Sequence, residues 1–232
     1  MTDQPTSPIE AAFLEVRSSD LSLRDRLRVV AEAARTHKPW YADAVDDFAT
    51  RLRQVQAGSE APHVGQAMPE FMLPDHEGRL VSLGEVLADG PAVIAFHRGH
   101  WCPFCRLSMI ALAEIEEQLR PARIVAISTE TQRYTRMLRE QTGAMFPVLS
   151  DMDAAYTMSL NLAVWVDTKL AGMISEAGWD VTVYQGGEDW VLPIPSVFVV
   201  RQDGTIAARH IDPDYRQRME IDELLSCVQD LG

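Results

Sequence analysis

The sequence predicts an α/β sandwich preceded by a helical extension, and three observations carry that expectation. "PAVIAF" (91–96) and "RIVAIS" (123–128) are continuous apolar runs, as strands buried on both faces of a sheet require. Between them, a segment from Pro103 to Leu119 sets Phe104, Leu107, Ala111, Ile115 and Leu119 on one helical face, so the two strands join by a parallel crossover. The pattern also changes along the chain: it is helical before "AGSEAP" (57–62), which reads as a linker, and alternates strand with helix after it. Residues 1–60 are therefore expected to form a helical extension and residues 61–232 the α/β domain.

Taken in order, the first ten residues are polar with two prolines and are expected to be disordered. Ser22 caps a helix with Asp25 three residues on, and Leu23, Leu27, Val30, Ala31 and Ala34 recur at helical spacing. Pro39 ends it, and a second amphipathic helix carries Tyr41, Ala44, Val45, Phe48, Leu52 and Val55 on one face. These apolar faces pack either on the main domain or on another subunit. "EFMLPDHEGRLVSL" holds two short extended runs around a turn at Gly78. Thr129 and Gln132 form a capping box for a helix running to Gly143. A helix near 167–177 and an exposed loop with Gly186 and Gly187 follow. "SVFVV" (196–200) and "TIAARHI" (205–211) flank a "RQDG" turn as a hairpin, and a last helix begins near Glu220.

Composition narrows the function classes. In a chain of 232 residues with net charge −13, a nucleic-acid-binding surface is not expected, because such surfaces need basic patches. No run of 18 apolar residues suggests a membrane span, and the start "MTDQPTSPIEAAF" has no basic segment leading into an apolar one, so a cytoplasmic protein is expected. Three cysteines fit a reduced protein with a working thiol pair better than a disulfide-stapled one.

The chemistry gathers in "AVIAFHRGHWCPFCRLSM" (92–109). Cys102 lies past the carboxyl end of a buried strand, with Pro103 as first residue of the following helix. Free N–H groups and the positive helix end favour a thiolate there. Cys105 is three residues on, close enough to close a disulfide. A zinc site would need two more ligands that the sequence does not supply nearby, so no metal and no cofactor are expected, and two inert core cysteines are the remaining bland alternative. Trp101 shields the pair or packs in the core, and His97 and His100 shuttle protons or simply pack. Cys227 sits at the edge of the apolar stripe of the last helix, where a semi-buried structural thiol is favoured over a resolving cysteine.

"HVGQAMPEFMLPDHEGRLVSL", "FHRGHWCPFC", "LPIPSVFVVRQDGTI" and "HIDPDYRQRMEIDELL" occur in the order found in one group, and over residues 63–232 the chain resembles the peroxiredoxin-like (alkyl hydroperoxide reductase and thiol-specific antioxidant) branch of the thioredoxin-fold superfamily. The resemblance implies a thioredoxin-like fold, a central mixed sheet flanked by helices, with the thiols at the start of the first long helix. It implies that Pro195 is a cis-proline facing the thiol pair. It also implies a hydroperoxide or disulfide substrate, a thioredoxin- or glutaredoxin-type electron donor, and an antioxidant role, with a homodimer compatible with the apolar helices. Matched to the usual peroxiredoxin motif, Cys102 takes the place of a threonine and Cys105 attacks. Matched to thioredoxin, Cys102 attacks and Cys105 resolves, and the exposed helix end tilts the expectation toward Cys102. Typical members carry a peroxide-activating arginine where this chain has Pro195, and Arg98 is the substitute at hand.

Two mechanisms follow. In one, a hydroperoxide oxidises one thiolate to a sulfenic acid, the other cysteine condenses with it, and the donor reduces the disulfide. In the other, the pair exchanges with a substrate disulfide, without real peroxidase activity. A redox-dead binding protein on the same fold is the reading from outside enzymology.

Overall fold

The computed structural model describes residues 7–231. Its elements are, in order, α1 (Pro8–Val16), α2 (Leu23–His37), α3 (Pro39–Gln54), β1 (Met72–Pro74), β2 (Leu80–Ser82), α4 (Leu83–Leu87), β3 (Ala92–His97), α5 (Pro103–Ile115), β4 (Arg123–Ser128), α6 (Gln132–Thr142), β5 (Val148–Ser150), α7 (Ala155–Ser159), β6 (Ala163–Trp165), α8 (Thr168–Glu176), α9 (Val181–Gln185), β7 (Val191–Pro193), β8 (Ser196–Val200), β9 (Ile206–Ile211) and α10 (Ile221–Gln229). No helix among the described residues is long and apolar enough to cross a membrane.

The central sheet is mixed and five-stranded, in the order β5-β4-β3-β8-β9. β3, β4 and β5 run parallel, while β8 lies antiparallel to β3 and β9 antiparallel to β8. This is the thioredoxin-like arrangement that the sequence implied. Every residue of β3 is buried, and its side chains alternate between the two faces: Ile94 and Phe96 join one core cluster, Val93 and Ala95 the other. The parallel pairing of β3 with β4, linked through α5, brings the carboxyl ends of both strands to one edge of the molecule.

The helices of the extension pack on the body of the same chain. Phe13, Leu27, Val30 and Phe48 share a buried cluster with Trp101, Phe104 and Leu107 of the α5 region. Ion pairs fasten this contact at its margins, Arg26 with Glu114 at 3.0 Å, Arg106 with Glu10 at 3.1 Å and Arg216 with Asp46 at 2.7 Å.

Several expectations need correction. The disorder expected for the first ten residues fails at Ser7–Glu10, where Ser7 accepts the Glu10 N–H at 3.2 Å and Pro8 opens α1; residues 1–6 lie outside the described residues. The residue capping α6 is Thr131, not Thr129, whose hydroxyl instead accepts from Gln185 at 2.6 Å. The stretch around Gly186 is more ordered than foreseen. It holds the short helix α9, which Gly186 ends in a left-handed conformation (φ +72°), and a two-stranded sheet of β6 with β7. The cis-proline is also not formed. Among the described residues the cis bond is Arg120–Pro121, and Ile194–Pro195 is not one. Pro195 sits between β7 and β8 in a stretch without a tight turn, and the Ile194 N–H is already bound to Leu162 O at 2.7 Å.

Candidate active site

Phe96 and His97 end β3 deep in the protein, and the loop 98–102 turns the chain into α5. Cys102 is the N-cap of α5, in an extended conformation and without a side-chain cap bond, and Pro103 follows at the first helical position, where its missing N–H costs nothing. Cys102 is 1% exposed and Cys105 fully buried, and both thiols are free.

The two sulfurs stand in different surroundings. Cys105 Sγ accepts the backbone N–H of Arg98 at 3.3 Å and a guanidinium N–H of Arg218 at 3.6 Å. Burial pushes its thiol up, but the S–H of Cys102, the neighbouring His97 ring and the Arg218 charge outweigh burial and hold Cys105 well below the ordinary cysteine range. Neither ring nitrogen of His97 meets hydrogen-bond geometry with any partner, so its influence on the sulfur is electrostatic. At Cys102, burial and the neighbouring Cys105 push the thiol well up, and Arg98 and Arg218 counter this only partly. The surroundings thus favour a thiolate at Cys105 over one at Cys102.

Arg218 was not singled out in the sequence. It lies 113 residues beyond Cys105, in the loop before α10, and is anchored there by carbonyls of Tyr215 and Gln217. The only signal for it was its place within "DPDYRQRME", one of the segments that carried the family resemblance. Arg98 lies beside the thiols in two ways. Its backbone N–H reaches Cys105, while its guanidinium lies over the rings of Tyr215 (3.9 Å) and Trp101 (4.7 Å). Tyr41 of α3 reaches the same cluster, and burial raises the phenols of both Tyr41 and Tyr215. Pro195 lines a small void together with Arg98, Tyr215 and Phe48.

His100 turns away from the thiols. Its Nδ1 lies 2.7 Å from one oxygen of Glu130, and its backbone N–H donates to the other at 2.8 Å. Glu130 is fully buried just past β4, and burial raises its carboxyl pKa. The His100 ring stacks on Tyr134 and meets Tyr184 edge-on. Gly99, at φ +138°, makes the approach possible, since a Cβ there would fall on the Glu130 carboxyl group. Cys227 belongs to the cluster on α10 with Leu224 and Val228, apart from the cluster that holds the thiol pair.

Comparison with known proteins agrees with this architecture. A family model described as the AhpC/TSA family matches residues 64–209. Peroxidoxin BcpB from Mycobacterium tuberculosis superposes with a TM-score of 0.56 at 19% identity, covering 73% of this chain and 97% of its own. A peroxiredoxin-like protein from Aquifex aeolicus does so with a TM-score of 0.59 at 16% identity, covering 74% and 89%. A search of curated proteins finds no match.

Proposed function

The chain belongs to the AhpC/TSA family, and from that premise we propose that it is a thiol peroxidase in which Cys105 attacks the peroxide and Cys102 resolves. The observation that carries this is the surroundings of the Cys105 sulfur, where a backbone N–H and the Arg218 guanidinium converge on it beside the Cys102 thiol. The thiolate attacks the distal oxygen of a hydroperoxide ROOH, an S–O bond forming as the O–O bond breaks and alkoxide leaves, and with one proton this gives Cys105–SOH and ROH. The thiol of Cys102 then condenses with the sulfenic acid, releasing water and forming the Cys102–Cys105 disulfide. Two electrons and two protons from a dithiol donor of thioredoxin or glutaredoxin type restore both thiols. Arg218 stabilises the negative charge on sulfur and on the departing oxygen.

This reading reverses the expectation that Cys102 attacks. The helix end favours an anion at Cys102, but burial and the anionic neighbour outweigh it, whereas two donors satisfy Cys105. The competing assignment, a disulfide oxidoreductase led by Cys102, needs a thiolate where the surroundings favour a thiol.

The deciding experiment is mass spectrometry of Cys102→Ser and Cys105→Ser after reduction and one equivalent of hydrogen peroxide, with a sulfenic-acid trap present. Adduct on Cys105 in Cys102→Ser, and none in Cys105→Ser, is the expected result. Adduct on Cys102 alone would reverse the roles. No adduct in either variant, together with reduction of insulin disulfides by the wild type, would establish the oxidoreductase instead.

A further inference from the structure

Above Cys102 lies a cavity of about 220 Å³ whose walls come from both parts of the chain: Trp40 and Tyr41 from the extension, and Trp101, Phe104, Ile174 and Trp179 from the body. It is smaller than the roughly 300–1,000 Å³ of sites for drug-sized ligands, and so suits a compact apolar body such as a single substituted ring.

Arg98 also lines this cavity. It is only 5% exposed, yet it pairs with no carboxylate among the described residues. Two other shielded arginines, away from the thiols, are matched, Arg26 by Glu114 and Arg106 by Glu10. A buried charge with no counter-charge is costly, and contact with the Trp101 and Tyr215 rings offsets only part of that. The indole N–H of Trp101 is likewise buried without an acceptor. Half-buried Lys38 lines the cavity and forms no ion pair among the described residues, while the acid on the wall, Glu176, is exposed. In a chain of net charge −13, an acidic partner for Arg98 would be easy to supply, and none is.

We propose that this cavity is a carboxylate subsite, which binds a small organic hydroperoxide with an apolar body and a carboxylate, the carboxylate paired with Arg98 and the Trp101 N–H. The proposal rests on the peroxidase reading for its reacting group; the cavity wall carries Cys102, the neighbour of the attacking Cys105, and supplies the specificity. The extension then selects the substrate, since Trp40 and Tyr41 close a site whose chemistry the body performs.

The test compares kcat/KM of the full reduced chain, with a dithiol donor, for cumene hydroperoxide, its 4-carboxylate and hydrogen peroxide. Wild type is expected to favour the 4-carboxylate over the neutral compound by about tenfold or more, in line with a charge-assisted contact. Arg98→Met keeps the backbone N–H to Cys105 and is expected to lose that preference. Equal rates in the wild type, or a preference that persists in Arg98→Met, would overturn the subsite. Calorimetry of the reduced wild type with 4-(2-hydroxypropan-2-yl)benzoate, the alcohol product, and with its methyl ester reads binding without turnover. If no peroxide is consumed but the carboxylate binds and the ester does not, the subsite stands and the peroxidase reading falls. If peroxides are consumed but neither compound binds, the reverse holds.

Discussion

At the carboxyl end of β3 the protein buries two guanidinium groups, Arg98 and Arg218, around a pair of thiols with no carboxylate paired to either among the described residues. One strand over, past β4, it buries Glu130 and closes both of its oxygens with the ring and backbone of His100. Both regions place charge in the interior, and both depend on the same loop, in which Arg98, Gly99 and His100 are consecutive. The acidic side is complete as folded, with each oxygen matched. The cationic side has positive charge that no carboxylate matches among the described residues, which is the charge the proposed reaction would use. A matched buried charge fixes the loop, and an unmatched one remains open to a partner.

That contrast can be broken or sharpened by substitution. Cys105→Ser should have the largest effect, lowering peroxide consumption by more than about 10³-fold in a coupled donor assay, as loss of a nucleophile does. Retention of substantial turnover would move the attack to Cys102. Glu130→Ala, on the matched side, should cost about 3 kcal/mol of stability in urea denaturation by breaking a buried pair. At temperatures where the variant stays folded, its peroxide rate should stay within a few-fold of wild type. A variant that is stable yet inactive would show that the acid takes part in the reaction. Arg218→Met should lower kcat/KM for hydrogen peroxide by about 10²-fold, the usual cost of removing a donor aimed at developing negative charge, with a small change in stability.

The Cys102 S–H, His97 and Arg218 together set a pH response at Cys105. The folded Cys105 thiol lies well below its unfolded value, so its alkylation by iodoacetamide should remain fast as pH is lowered past the ordinary cysteine range near pH ~8.5. The stabilisation linked to this thiolate is fully present above the unfolded pKa, and is lost as pH falls through the folded one. Arg218→Met should move the alkylation midpoint upward, and an unmoved midpoint would assign the shift to Cys102 and His97 instead. The smallest effect is expected at Cys227→Ser, with peroxide turnover unchanged and stability altered by about 1 kcal/mol or less, since this thiol is partly exposed on the edge of its cluster.

Much of the sheet was legible because β3 and β4 are continuous apolar runs and α5 carries its stripe at helical spacing between them. The nearness of Cys102 and Cys105 followed from the same local reasoning. What lay beyond it depends on long-range contacts or short elements. Arg218 meets Cys105 across 113 residues of chain, which no local pattern encodes. β6 and β7 have three residues each, too few for a period to emerge. The start of α1 did have a local signature, a serine followed three residues later by Glu10 with proline between, and the density of prolines obscured it. At Cys102 the helix end favours an anion while desolvation of a cap residue only 1% exposed opposes it, a balance that depends on burial and not on local pattern.

The crowding of aromatic rings over Cys102 has an optical consequence. Three of the five tryptophans, Trp40, Trp101 and Trp179, line the cavity above the sulfur. Sulfur in its thiolate and disulfide forms quenches indole emission at contact, so the protein's own fluorescence should change with the oxidation state of the pair. Each half of a catalytic cycle would then be visible in the unlabelled wild type, as light rather than as consumed peroxide.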